Sequence, residues 1–147
     1  MNTSDGGSLE PDLNEGHLRR VQTTLMMLDR AACEFEQWAA GRSVQSVLYD
    51  ETNTLQPEQR EEIARQIAAI RSRLRRLKAD FNLASSHRNA STTISARCAT
   101  LWEALIELEA SRLDRYGPLP AGAAERLDDG AKELLARVEA IMRCVSR

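Results

Sequence analysis

The sequence predicts an all-α chain folded as an up-down-up-down antiparallel four-helix bundle. Three observations carry the prediction. Four segments repeat apolar residues in alternating steps of three and four, the helix formers Ala, Leu, Arg and Glu are abundant, and the few Gly and Pro mostly fall outside those segments.

The first stripe is Leu18, Val21, Leu25, Leu28, Ala32, Phe35 and Ala39. The second is Ile63, Ile67, Ile70, Leu74, Leu77, Phe81 and Ala84. Ile94, Cys98, Leu101, Leu105 and Leu108 form the third, and Leu127, Ala131, Leu134, Val138, Ile141 and Val145 the fourth. Such spacing holds one apolar stripe against a neighbouring helix. Trp102, Ile106 and Leu113 widen the third stripe, lying about 80–100° round from its centre. Leu135 and Met142 widen the fourth. A wide face suits a four-helix core better than a two-stranded seam, although a helical hairpin that completes its core by dimerising carries the same stripes.

Helices are expected at about 13–40, 57–84, 90–116 and 122–145, within a single domain over 13–147. Residues 1–12 read as a flexible tail. Pro57 suits a first helical turn, and Glu58, Glu61 and Glu62 favour a helix N-terminus. SSHRN (85–89) reads as a turn, and YGPLP (116–120) stops the third helix because proline lacks an N–H. Gly41 is a candidate end for the first. The connection over 41–55 is long, and Val44, Val47, Leu48 and Tyr49 have helical spacing, which predicts a short extra helix there. Gly130 falls inside the fourth helix at a cost of about 1 kcal/mol relative to Ala, with no reason visible in the sequence.

Composition is 42% hydrophobic and 29% charged, with a net charge of −2, so bulk charge makes no case for nucleic acid. Cys33, Cys98 and Cys144 are an odd number without CxxC spacing, which suits reduced thiols in a cytoplasm. No apolar run approaches the roughly 18 residues of a membrane span.

The near-neutral total hides segregation. Placed on the expected bundle, residues 17–28, 70–99 and 134–147 share one end and hold twelve basic residues against Asp80 and Glu139. Residues 29–69 and 100–133 hold eight basic and sixteen acidic. Helix dipoles account for this in the second and fourth helices but not in the first and third. IRSRLRRLK (70–78) is the densest basic stretch. In a hairpin centred near His87, Arg71 falls level with Glu103 and Arg65 near Glu107, while Arg73, Arg75, Arg76 and Lys78 meet no acid. These four, with Arg88 and Arg97, are the candidate surface for an anionic partner. On a helical wheel they scatter, which suits a solvated face better than a groove reader. Met26, Met27 and Trp38 sit off the first stripe and form a candidate apolar partner patch.

Chemistry finds little purchase. His87 precedes Ala90 and Ser91, where histidine phosphotransfer domains carry lysine and glycine. No Glu-x-x-His marks a di-iron site, and no glycine-rich phosphate loop occurs. No catalytic, cofactor or metal residues are therefore assigned. The expectation is a non-enzymatic, cytoplasmic protein-interaction module, binding another protein or a second copy of itself. In size and helix length it resembles flagellar export chaperones, a likeness of fold alone. A binder of nucleic acid or another anionic surface is the alternative.

Overall fold

The computed structural model describes residues 13–147. The tail expected over 1–12 lies outside them. The chain is mostly helical: α1 (Glu15–Ala39), α2 (Pro57–Asp80), α3 (Ala90–Ile106), the single turn α4 (Ala110–Leu113) continued by a 3₁₀ turn (Asp114–Tyr116), and α5 (Ala123–Val145). It divides into two units, Met1–Ser86 and His87–Arg147.

In the first unit, α1 packs on α2. Asn14 caps α1, its Oδ1 accepting from the His17 N–H at 2.8 Å. At the other end Gly41 adopts φ +96°, and the N–H groups of Gly41 and Arg42 reach the carbonyls of Trp38 and Gln37 at 3.0 and 2.9 Å. This left-handed cap satisfies carbonyls that the helix leaves open. A Cβ at Gly41 would also stand 3.0 Å from Nη1 of Arg60. Pro57 opens α2 in its first turn, and Gln59 Oε1 accepts from the Gln56 N–H at 2.8 Å. The helix ends at Asp80, four residues short of the expected 84. Asn82 turns left-handed at φ +48°, and the Leu83 N–H closes on the Lys78 carbonyl at 3.0 Å. Glu36 faces Arg71 and Gln22 faces Ala84, so α1 and α2 run antiparallel.

The extra helix expected in 41–55 is absent. Val44–Gln45 (β1) pairs antiparallel with Asp50–Glu51 (β2) instead. Eight residues give a helix few bonds to offset its costly nucleus. The β-branched and aromatic residues here favour extended backbone. Ser46 N–H closes the ribbon on the Tyr49 carbonyl at 3.0 Å and on Asp50 Oδ1 at 3.2 Å. Asn53 fastens its base to α1, with Nδ2 donating to the carbonyls of Trp38 and Arg42 at 2.8 and 3.0 Å.

In the second unit, α3 packs on α5. Asn89 caps α3, accepting from the Thr92 N–H at 2.7 Å. The single helix expected over 90–116 breaks at Glu107–Glu109. Glu109 swings to ψ 139°, and the freed Ala110 N–H finds Asp128 Oδ1 on α5 at 2.7 Å. An acceptor reached across the hairpin thus restarts the helix as α4. Trp102 faces Glu139 and Ala110 faces Asp128, which makes α3 and α5 antiparallel.

The buried apolar residues of the described chain are Ala32, Ile67, Cys98, Ala110 and Ala131. Four of the five are small, and each hairpin closes over little side-chain volume.

Candidate functional site

The basic stretch lies on the C-terminal half of α2. Arg71 is the exception within it: its two guanidinium nitrogens each meet a carboxylate oxygen of Glu36 on α1 at 2.7 Å. Nη2 also approaches Cys33 Sγ at 3.9 Å. Arg71, expected level with Glu103, thus has its fork of Arg and carboxylate satisfied inside the α1–α2 hairpin. Arg65 and Glu107, expected to lie near each other, each have partners within their own unit. Arg65 pairs with Glu62 one turn back, and Glu107 takes Arg112 at 2.9 Å and Arg115 at 2.7 Å. Hydrogen bonding from Arg71 holds the Glu36 carboxyl below the ordinary carboxylate range. The Gln66 amide and the Arg65 charge lower Glu62 in the same direction.

Arg73, Arg75, Arg76 and Lys78 are all exposed. Lys78 Nζ donates to Ser85 Oγ at 2.6 Å. Among the described residues no acidic side chain pairs with Arg73, Arg75 or Arg76. Arg88 and Arg97, also exposed, belong to the second unit. His87 is exposed in the connection before α3.

Met26, Met27 and Trp38 do not form one patch. Met26 is half-buried, lining an open hollow of about 480 Å³ with Leu18, Gln22, Leu83 and Ala84. Met27 is 67% exposed. Trp38 lies eleven residues further along, about 16 Å by helical rise. It is half-buried, with the Arg42 guanidinium over its ring at 5.7 Å. The ribbon tip is barer: Val47 and Leu48 are 93% and 98% exposed.

Apolar surface elsewhere follows the heptads. On α1, Ala32 is buried while Leu28 and Phe35 are exposed. On α3 and α5, Cys98 and Ala131 are buried, while Leu101, Leu134 and Ile141 are 46%, 51% and 48% exposed. On α1, α3 and α5 one line of the stripe closes the hairpin and residues of the line beside it stay open, whereas on α2 Ile63, Ile67, Ile70, Leu74 and Leu77 are all buried or half-buried. Sequence reasoning treated each stripe as one core face and missed this division. Small residues, Ala32, Cys98 and Ala131, were the available signal, marking where two helices approach closely. The wider edge carries a hollow of about 550 Å³ lined by Glu109, Asp128, Lys132, Leu135 and Glu139.

Among the described residues no three of His, Cys, Asp and Glu stand close enough to hold a metal ion. None of the described helices is long and apolar enough to cross a membrane. Cys33 and Cys144 are exposed free thiols, and Cys98 is a buried one. Comparison with known protein families, curated proteins and solved structures finds no match to the chain.

Proposed function

We propose that this chain is a non-enzymatic helical protein-interaction module, adaptor-like or export-chaperone-like. One observation supports this reading: heptad residues of the size and spacing of core residues, Phe35, Leu101, Leu134 and Ile141 among them, remain exposed. Open apolar lines at helical spacing are what a second helical surface covers. The antiparallel four-helix bundle belongs to this proposal as the form such hairpins take once their faces are covered. Free thiols agree with a reducing, cytoplasmic setting.

The test is a photo-crosslinking amino acid at position 101 or 134 of the full chain, irradiated in living cells. Adducts joining this chain to a second polypeptide support the reading. Crosslinks confined to the chain itself overturn it, because the face would then be internal.

A second reading, binding of nucleic acid or another anionic surface, is favoured by Arg73, Arg75 and Arg76, which are exposed and carry no acidic partner among the described residues.

A further inference from the structure

The open face of the second unit has more structure than mere exposure. Ile94 and Leu101 on α3, Leu108 two residues past its end, and Leu127, Leu134 and Ile141 on α5 are all exposed. Within each group the step is seven residues. The neighbouring lines, Cys98 with Leu105 and Ala131 with Val138, are buried or half-buried and close the hairpin. In both helices the exposed line precedes the buried one by four residues, and so lies about 40° from it in the same rotational sense. Because α3 and α5 run antiparallel, equal rotations carry both exposed lines to the same side. The hairpin thus presents one continuous apolar face.

Charge is segregated along the hairpin from end to end. Residues 87–101 and 137–147, at the end where α3 starts and α5 stops, hold five basic residues and one acidic. Residues 102–136 hold four basic and eight acidic. A like-oriented copy laid on the face would set basic end against basic end. A copy turned end for end sets each basic end against an acidic one. The apolar lines tolerate the reversal. With Trp102 level with Glu139, Ile141 falls within one residue of the level of Leu101 and Leu134 within one of Leu108, so the steps read nearly alike from either end.

We infer that the occupant of this face is a second copy of the chain, docked α3–α5 hairpin to α3–α5 hairpin in antiparallel order about a two-fold axis. The inference rests on the interaction-module reading and names its partner. Both copies bring the same patch, as a two-fold interface requires. Their four helices supply the second layer that the open heptad lines lack. End-to-end charge complementarity fixes the order.

Sedimentation equilibrium of the full chain tests this, at concentrations from about 1 to about 100 μM and at about 50 and 500 mM NaCl. The expected result is a dimer whose dissociation constant rises with salt, as screened attraction demands. Leu101→Glu with Leu134→Glu should raise that constant about a hundredfold or more, with the helical circular dichroism unchanged. If the double variant loses helicity, the wild-type salt dependence still decides. A dimer that tightens with salt overturns the antiparallel order, since it reports like charges brought together. A wild-type monomer at the highest concentration overturns the second copy. The crosslinking result at positions 101 and 134 then judges the interaction reading separately: adducts with another protein keep it, and crosslinks within the chain remove it.

Discussion

Arg71 on α2 grips Glu36 on α1 through two parallel 2.7 Å contacts, one for each carboxylate oxygen. It is the one member of the basic stretch 70–78 that has found an acidic partner among the described residues. It is partly screened by the hairpin, whereas Arg73, Arg75 and Arg76 are exposed. One basic run therefore divides by position into a structural arginine and arginines left to the solvent.

The pair makes stability pH-dependent with a definite sign. Glu36 titrates below its ordinary value in the folded chain, chiefly through the Arg71 hydrogen bond. A depressed carboxylate contributes fully above its unfolded pKa and loses that contribution as pH falls through the folded one. Stability from this pair should therefore decline as pH falls through and below the ordinary carboxylate range, about 4.3 for Glu. Glu36→Gln should lower stability at neutral pH and flatten that decline. Urea unfolding curves at a series of pH values read both effects, and parallel profiles for the two proteins would remove the pair from the account.

Two glycines should respond in opposite directions to the same substitution. Gly130 lies inside α5, and a Cβ there meets nothing within 4 Å. Gly130→Ala should stabilise the chain by about 0.5–1 kcal/mol, because the helix gains a better former at no steric cost. Gly41 sits at φ +96° with Arg60 Nη1 3.0 Å from its would-be Cβ. Gly41→Ala should destabilise by about 1 kcal/mol or more, since left-handed backbone and contact both oppose it. Thermal unfolding of the two variants beside wild type gives both signs in one experiment.

Asp128 caps α4 from another helix, its Oδ1 accepting from the Ala110 N–H at 2.7 Å. Asp128→Ala removes the acceptor and should cost about 1 kcal/mol, whereas Asp128→Asn keeps an oxygen and should cost less. Hydrogen exchange localises the effect. The Ala110 amide should exchange faster in the alanine variant, and unchanged protection there would mean that the break at 107–109 has another cause.

Elements that rest on local rules were legible in the sequence: the helical period of the stripes, Pro57 in a first turn and Gly41 as a stop. The N-caps Asn14 and Asn89 were equally local, each an Asn three residues before the N–H it accepts, and were overlooked. What escaped depended on distant partners. The break before Ala110 needs Asp128 eighteen residues away, and the ribbon at 44–51 is fastened by Asn53 reaching back to the carbonyls of Trp38 and Arg42. Helical spacing at Val44, Val47 and Leu48 could not outweigh those bonds. At the candidate site, exposure of Arg75 and Arg76 follows from their place about 120–140° round the helix from the stripe, but Arg71 and Arg73 flank it at about equal angles. The capture of Arg71 by Glu36 does not follow from α2 alone.

The solvent-facing arginines make the second functional reading testable on its own. If the stretch 73–78 holds phosphate, a labelled DNA duplex should bind at about 50 mM salt and weaken at about 200 mM, because each neutralised phosphate releases counterions. Four contacts imply a fall of about a hundredfold across that interval. Arg73, Arg75, Arg76 and Lys78 changed together to Glu should abolish the binding. Arg71 should be left in place, since its loss would disturb the hairpin through Glu36 and confuse folding with recognition. Anisotropy with the wild type and the fourfold variant separates the outcomes. Binding lost in the variant assigns these side chains to an anionic ligand. Absence of binding at the lower salt leaves them as the solvated face of α2, whose apolar side is taken up by α1.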